Sequence, residues 1–340
     1  MQEKQQLKFK GGILSAPKVG IDAQQIANQE LSSTPLLISD ISALQRTIGN
    51  QATERLVSSS LQMQEHHKKQ GETTNRSIPV SAQQPNLDEW RTLINFTPPD
   101  NISRILARRD SSHKGIPYTK WGIQKVEDGY GQINLDYYPV TIKQLPSING
   151  KKMSADSLLQ YIRVNINEFV AKDSAHFEGY DKEEIKKWQS PSPLGSIIHI
   201  DMGGSSENPF KNPDDGSVVV SDFSAENWTF STIQTPHDFQ HPVSGNRQFG
   251  FDKQNDGSVT FYTRGADRAS GILDWALSGG VNVVFAKAHK LWLSFQHKIA
   301  GFVNTNGGEA IVQAPTSRRY NWDVVKKHYW HPSTKSQHHK

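Results

Sequence analysis

The sequence predicts an α+β protein in which a disordered leader with one amphipathic helix precedes a single mixed domain with an antiparallel sheet and a long C-terminal helix. Three observations predict this architecture. Phe9 is the only aromatic residue before Trp90, although the chain has 8 Trp, 9 Tyr and 14 Phe, and a segment so poor in rings cannot build much core. Strand-like segments flank the turn sequence 252–257, which is typical of a β-hairpin. Apolar residues recur at helical spacing from Val284 to Phe302.

The composition excludes several classes of protein. The mean hydropathy of −0.64 and the apolar content of 35% are low for a chain that is folded from end to end. Because the chain has no cysteine, it has no disulfide, no thiolate metal site and no cysteine nucleophile. A formal net charge of +4 gives no clear nucleic-acid signal. No apolar run predicts a transmembrane span, and the polar start Met1–Lys10 does not predict a secretory signal peptide, so export would need another route.

The shift in aromatic content predicts three segments. Residues 1–85 are expected to be a flexible leader, residues 86–330 a globular α+β domain, and residues 331–340 a polar tail. Within the leader, residues 40–64 are expected to form one amphipathic helix, because apolar residues recur at steps of three and four. These apolar positions are Ile41, Leu44, Ile48, Ala52 and Leu56.

The middle of this helix, Leu44–Ala52 followed by Arg55 and Leu56, resembles a short motif near the N-termini of proteins associated with bacterial extracellular contractile injection systems. Thr53 and Glu54 depart from the motif, because that family more often has Val and a polar residue there. The resemblance implies that the leader binds tube or baseplate components and so targets the chain for loading. The residues expected to make this contact are Ile41, Leu44, Gln45, Arg46, Ile48, Gly49, Asn50, Ala52 and Leu56.

The same resemblance implies a route for the protein. It would be made in the bacterial cytoplasm, packaged as cargo in the injection particle, and released into a target cell as a toxin or effector. The sequence does not identify its target-cell molecule. A disordered segment with one apolar helix is suited to binding a narrow preformed surface. The alternative for the same helix is that it docks on its own domain.

The elements of the domain follow from local periodicity and from capping residues. Strands are expected at 133–142, 196–201, 217–221, 228–233, 247–251 and 259–263. A helix is expected to begin at Ser154 and to bury Leu158, Ile162, Ile166, Phe169 and Val170. Two more helices are expected at 181–188 and 281–303.

One block of the predicted hairpin is dense in polar residues that could form a ligand site. The antiparallel arms are expected to bring together His241, Arg247, Arg264, Asp267 and Arg268. Three arginines beside a glycine-rich turn would suit a phosphate or a carboxylate. In the alternative interpretation, Asp267 only pairs with Arg264 or Arg268. The block also resembles uncharacterised bacterial domains found beside such leaders, which implies no particular activity.

His199 and Asp201 form a second candidate pair, because residues two apart on a strand project to the same face. Such a pair can orient a general base or supply two metal ligands. Sequence spacing does not identify a third metal ligand. His237 and His241 are candidates without support from spacing. A structural, hydrogen-bonded histidine is therefore favoured, so the sequence predicts no metal site and leaves the cofactor unassigned.

Three functions remain open at this point. The first is cargo of an injection system, and the second is a stand-alone hydrolase or transferase that acts on a phosphate-bearing or acidic substrate through residues 241–268. The third is a membrane-active binding protein that uses the predicted helix 281–303, although core packing explains that helix better. No known catalytic motif selects an enzyme class.

Overall fold

The computed structural model describes residues 87–111, 120–202, 215–238, 240–270 and 283–331. The leader 1–85 with its expected helix 40–64, and all but the first residue of the tail 331–340, lie outside these residues. The α-helices of the described residues are α1 (Asp88–Ile94), α2 (Asp100–Ser111), α3 (Ala155–Val164), α4 (Lys182–Gln189), α5 (Val283–Thr305) and α6 (Trp322–His328).

The described residues also form twelve strands. They are β1 (Gly122–Ile123), β2 (Tyr130–Gln144), β3 (Ser147–Ile148), β4 (Lys151–Lys152), β5 (Ala175–Gly179), β6 (Ile197–Met202), β7 (Gly216–Phe223), β8 (Asn227–Gln234), β9 (Val243–Lys253), β10 (Val259–Ala269), β11 (Glu309–Val312) and β12 (Thr316–Tyr320). Short 3₁₀ turns occur at Val126–Asp128 and Ile166–Glu168. The expected α+β class, with an antiparallel sheet and a long C-terminal helix, is confirmed.

Within the described ranges, the main sheet has ten antiparallel strands in the order β11-β2-β10-β9-β8-β7-β6-β5, with β1 added to β8 and β12 added to β2. The expected hairpin is formed by β9 and β10, which pair residue for residue from Val259↔Lys253 to Ala269↔Val243. Its turn closes at Gly257, whose φ of +84° lies in the left-handed region that favours glycine.

Two short strands cover one edge of the long strand β2. Strand β11 pairs with its second half and β12 with its first half, and Pro139 lies at the junction. Proline has no N–H to donate, so Pro139 suits this position, where neither β11 nor β12 pairs with β2. The buried side-chain amide of Gln296 on α5 bridges this junction by donating to the carbonyl oxygens of Pro139 and Gln313, at 2.5 and 2.8 Å.

Helix α5 packs across one side of the sheet, which we call the α5 face. Its buried residues are Leu291, Trp292, Phe295, Ile299, Ala300 and Val303. They share one core with Tyr138, Trp228, Phe249 and Phe261 of the sheet. The helix is thus part of the hydrophobic core, as favoured by its sequence pattern. No helix of the described residues is both long and apolar enough to cross a membrane.

The other side of the sheet, the opposite face, is covered by α1, α2 and α6. There Trp90, Ile94 and Val325 pack with Leu135 and Ala266. A separate cluster joins α2 to the sheet through Ile102, Leu106, Ile197, Val219 and Ile233. Because side chains alternate along a strand, neighbouring residues such as Ala266 and Asp267 project to different faces.

Two of the predicted helix starts are confirmed by their caps. The hydroxyl of Ser154 accepts a hydrogen bond from the N–H of Ser157, and Asp181 accepts from Glu183 and Glu184. The first of these helices is shorter than expected, because it ends at Val164 and a 3₁₀ turn follows. The later apolar residues Ile166, Phe169 and Val170 are nevertheless buried, as predicted.

Candidate functional site

A pocket lies between the α5 face of the sheet and the N-terminal half of α5. Its volume is about 100 Å³, and most of its wall is apolar. The apolar wall is formed by Ile200, Met202, Val218, Phe230, Phe285, Ala288, Leu291 and Trp292. Its polar residues include Thr232, His241, Asn246, Arg247, Asp267 and Lys287. An apolar cavity with a few convergent polar groups is the usual form of a small-molecule site.

Strand register brings a buried ion cluster to this pocket. Arg247 of β9 lies opposite Gly265 of β10, which lies opposite Asp136 of β2. A Cβ at residue 265 would come within 2.3 Å of the Arg247 guanidinium. Glycine at this position therefore leaves the space through which Arg247 reaches across β10 to Asp136.

Arg247 is held by two carboxylates. Its Nη2 donates to both oxygens of Asp136, at 2.8 Å each, and lies 3.7 Å from Oδ2 of Asp267. The amide of Asn134 donates to Asp136 at 3.1 Å and to Asp267 at 3.4 Å. The guanidinium also lies 4.4 Å from the ring centroid of Trp292, within the range of a cation–π contact. The cluster of one arginine and two aspartates is thus rigidly positioned.

The raised pKa of Asp267 distinguishes this cluster from an ordinary ion pair. Burial and the neighbouring charge of Asp136 raise the pKa of Asp267 to about 7, although Arg247 opposes the shift. A carboxyl with a pKa near neutrality can both take up and release a proton under physiological conditions. Such a perturbed group in an apolar pocket is a candidate general acid or base.

A tyrosine and a histidine lie beside the ion cluster on the α5 face. The hydroxyl of Tyr138 and Nδ1 of His289 are hydrogen-bonded at 2.8 Å. Burial, with the nearby charge of Asp136, raises the pKa of Tyr138, so its hydroxyl stays protonated at neutral pH. This pair joins α5 to β2 by a polar contact within a largely apolar interface.

Of the five residues expected to converge in the hairpin block, the structure brings three to the pocket. His241, Arg247 and Asp267 line it. Arg264 instead donates to the side chain of Gln248 at 2.7 Å and to the carbonyl of Glu89. The expected convergence of three arginines was therefore wrong.

Strand alternation explains this correction. Residues 264 and 268 share the opposite face with Ala266, whereas Asp267 projects to the α5 face. Arg268 donates to the carbonyls of Val126 and Gly131 and lies over the ring of Trp322. The alternative pairing of Asp267 with Arg264 or Arg268 was also wrong, because its ionic partner is Arg247.

The second candidate pair is also rearranged. Nδ1 of His199 lies 3.2 Å from Oδ2 of Asp238, and Nδ1 of His237 lies 2.9 Å from Oδ1 of the same carboxylate. Asp201 lies opposite His176 in the sheet and is not a member of this cluster. Of the two guessed third residues, His237 joins His199, whereas His241 lines the pocket.

In this second cluster, His199 and Asp238 each favour the charged form of the other. Burial lowers the pKa of His199, but the hydrogen bond and charge of Asp238 outweigh burial and raise it above its ordinary value. Burial likewise raises the pKa of Asp238, but hydrogen bonds from His199 and Ser217 hold it well below its ordinary range. Asp238 is therefore ionised at neutral pH, although its side chain is fully buried.

Sequence reasoning missed several residues of the two clusters and of the tyrosine–histidine pair: Asn134, Asp136, Tyr138, Asp238 and His289. A signal for Asp136 was present, because it is a carboxylate inside the predicted strand 133–142, next to Leu135. An acid in such a strand is costly to bury unless it has a partner. The partner itself, Arg247, is 111 residues away and could not be read from the sequence.

Comparison with known proteins adds little to this geometry. No protein-family model matches the chain, and no curated protein matches it. Among solved structures, the chain is similar to the di-domain ARO/CYC StfQ from the steffimycin biosynthetic pathway, at 13% sequence identity and a TM-score of 0.33. The match spans about half of each protein, 53% of this chain and 53% of that chain. A TM-score this low assigns neither a fold family nor a function.

Proposed function

We propose that this chain is a cargo protein of a bacterial contractile injection system, loaded through residues 1–85, and that residues 86–330 are its effector domain. The observation that carries the proposal is the motif Leu44–Ala52. Its apolar residues recur at helical spacing in a segment with one aromatic residue, and this pattern suits docking on a tube or baseplate component. In this proposal the protein is packaged in the producing bacterium and released in a target cell.

The loading contact can be tested by placing charges on the apolar stripe of the leader. The double substitution Leu44→Asp and Ile48→Asp is expected to reduce the amount of full-length protein that co-purifies with injection particles at least ~10-fold. The physical reason is that a carboxylate buried without a partner costs several kcal/mol. Immunoblots of purified particles, normalised to total cellular protein, provide the measurement.

A matched control carries the same chemical change outside the motif. Ile13→Asp with Leu14→Asp is expected to leave particle association unchanged. Equal association of both double variants would contradict the proposal, and so would a wild-type chain that does not co-purify. The thermal unfolding temperature separates loading from the alternative in which the helix docks on its own domain, because only that alternative lowers it in Leu44→Asp/Ile48→Asp.

We infer that the effector domain acts through the α5-face pocket on a small, uncharged and largely apolar molecule. Phe285, Leu291 and Trp292 supply apolar surface, and Asp267 supplies a group that exchanges protons near neutral pH. A pocket of about 100 Å³ suits a ligand no larger than one small aromatic ring, since an apolar cavity of about 150 Å³ holds benzene.

The ion cluster disfavours the earlier alternative of a hydrolase or transferase with a phosphate-bearing or acidic substrate. Arg247 is already paired with Asp136 and Asp267, so its charge is compensated and attracts an anion only weakly. The membrane-active alternative is also disfavoured, because Trp292 and Phe295 of α5 are buried in the core and a membrane interface would have to extract them.

Two probes of similar size test whether the pocket prefers an uncharged ligand or an anion at pH 7.5. 4-Methylphenol is uncharged and 4-methylbenzoate is an anion at this pH, because a phenol has a pKa of about 10 and a carboxyl of about 4. Ligand-detected NMR on the full chain is expected to show binding of the phenol and at least ~10-fold weaker binding of the benzoate. Stronger binding of the benzoate would contradict the inference, as would a phenol that does not bind.

A substitution inside the pocket localises the binding. Ala288→Trp places a large ring in the wall and is expected to weaken binding of 4-methylphenol at least ~5-fold, because overpacked sites leave no room for a ligand. Lys290→Trp is the matched control, since Lys290 is 65% exposed on the same helix. Equal binding by both variants would place the ligand elsewhere.

A further inference from the structure

The cluster of His199, His237 and Asp238 lies apart from the pocket and plays no part in the proposed function. His199 is on β6, and the other two residues follow β8. His199 shares its face with Ile197, which belongs to the core on the opposite face of the sheet. One imidazole nitrogen from each histidine and one carboxylate oxygen of Asp238 lie within 4.8 Å of one another.

We propose that His199, His237 and Asp238 bind a divalent transition-metal ion of the zinc class. Two imidazoles and a carboxylate form a common donor set for zinc in sites that keep a fourth position open for water or a ligand. Zinc is held at about 2.0–2.2 Å by such donors. Neighbouring donors around a tetrahedral ion are therefore about 3.4 Å apart.

Two separations in the cluster are somewhat shorter than this value. Nδ1 of His199 lies 3.2 Å from Oδ2 of Asp238, and Nδ1 of His237 lies 2.9 Å from Oδ1. The two imidazole rings are nearly perpendicular, at 87°, with centroids 5.3 Å apart. Small side-chain movements would let an ion replace the protons that now link the rings to the carboxylate, since metal binding requires neutral imidazoles and an ionised acid.

Groups around the carboxylate hold it in place. Ser217 donates a short hydrogen bond to Asp238, and Thr235 donates to it at 3.3 Å through its hydroxyl. The N–H of Asp238 in turn donates to the Thr235 hydroxyl at 3.0 Å. Such outer contacts orient metal ligands and are part of the construction of natural metal sites.

The cluster combines a buried charge with access from solvent. The side chain of Asp238 is fully buried, whereas that of His237 is 66% exposed. An ion can therefore approach along His237 and meet the carboxylate at the inner end. The ionised carboxylate adds a negative charge to the two neutral imidazole donors. This charge favours the binding of a dication.

The experiment measures metal binding by the full chain after removal of metals with a chelator. His66, His67, His338 and His339 form adjacent pairs in sequence that could bind metal independently. All four are therefore replaced by glutamine in the background chain. Calorimetric titration of this chain with ZnCl₂ is expected to give one saturable site, and CoCl₂ is expected to give the visible absorption of tetrahedral cobalt.

Single substitutions in that background assign the site. His237→Ala removes an exposed ligand and is expected to weaken zinc binding at least ~100-fold and to abolish the cobalt spectrum, because a ligand contributes more than the outer contacts whose loss costs about 10–100-fold. His176→Ala, on the exposed side of β5, is the matched control and is expected to bind as the background chain does.

A second variant guards against effects on folding. His199→Gln keeps a hydrogen-bonding group beside Asp238, and it is also expected to lose the zinc site while its circular dichroism remains unchanged. A background chain without saturable binding would overturn the proposal. So would equal affinities of the background chain and His237→Ala. Neither result would bear on loading or on the pocket, because those tests use other residues.

Discussion

Replacement of Arg247 by methionine is expected to lower the free energy of unfolding by about 3–5 kcal/mol at pH 7.5, because removal of one partner leaves buried charges uncompensated. Asp136 and Asp267 are both buried, and Arg247 lies within 4 Å of both. Methionine keeps the apolar stem against Trp292 but supplies no charge. Urea denaturation followed by tryptophan fluorescence measures the loss.

A triple variant separates loss of charge from loss of packing. Arg247→Met combined with Asp136→Asn and Asp267→Asn removes all three charges, and it is expected to recover most of the stability. If the single variant is too unstable to purify, the triple variant alone carries the test, because it must then fold. Lys253→Met is the surface control.

The control has a small expected effect for a physical reason. Lys253 lies 3.6 Å from Glu226, and their side chains are 71% and 61% exposed. An ion pair so well solvated contributes less than about 1 kcal/mol. A loss in Arg247→Met as small as that in Lys253→Met would show that the buried cluster does not stabilise the fold through its charges.

Asp267→Asn is expected to stabilise the protein relative to the wild type, and by an amount that grows with pH. Burial and Asp136 raise the folded-state pKa of Asp267 to about 7, against the opposing charges of Arg247 and Arg319. In the unfolded chain the pKa is about 4. The folded wild type thus binds more protons between these values, so its stability falls as pH rises through that window. Asparagine has no such dependence.

The size of this pH-dependent stabilisation follows from the shift in the pKa of Asp267. One pKa unit corresponds to about 1.4 kcal/mol, so the gain of Asp267→Asn at pH 8 should exceed its gain at pH 4 by about 2–4 kcal/mol. Denaturation curves at half-unit steps of pH measure it. Asp252→Asn, at an exposed position on β9, is the control and should parallel the wild type. If Asp267→Asn also parallels the wild type, folding does not raise the pKa of Asp267, and its proposed role as a general acid is wrong.

Local signals in the sequence were sufficient for the hairpin, two helix starts and the long C-terminal helix. Alternating apolar residues around the turn 252–257 predicted the hairpin, and its one-to-one pairing follows from the short turn. Ser154 and Asp181 predicted helix starts because capping depends on neighbouring residues only. The apolar spacing from Val284 to Phe302 predicted α5, since a helix that covers a sheet must bury one stripe.

The candidate site could be predicted only in part. That Arg264 and Arg268 lie on the other face from Asp267 follows from strand alternation, so this information was present in the sequence. The pairing of Arg247 with Asp136 depends on which strand lies beside β10, which local patterns do not determine. The same holds for His199 and Asp238, which are 39 residues apart.

The contacts of Gln296 and Asn304 have a consequence for the exchange of ligands. Gln296 bonds α5 to Pro139 and Gln313, and Asn304 makes two hydrogen bonds with the backbone of Ala310 on β11. Helix α5 is therefore hydrogen-bonded to the segments that follow it. It does not open as an independent flap. Lifting it would peel β11 and β12 from β2 in the same cooperative opening. Molecules would then enter and leave the cavity at the slow rate of that partial unfolding, or through its rim while the helix stays in place.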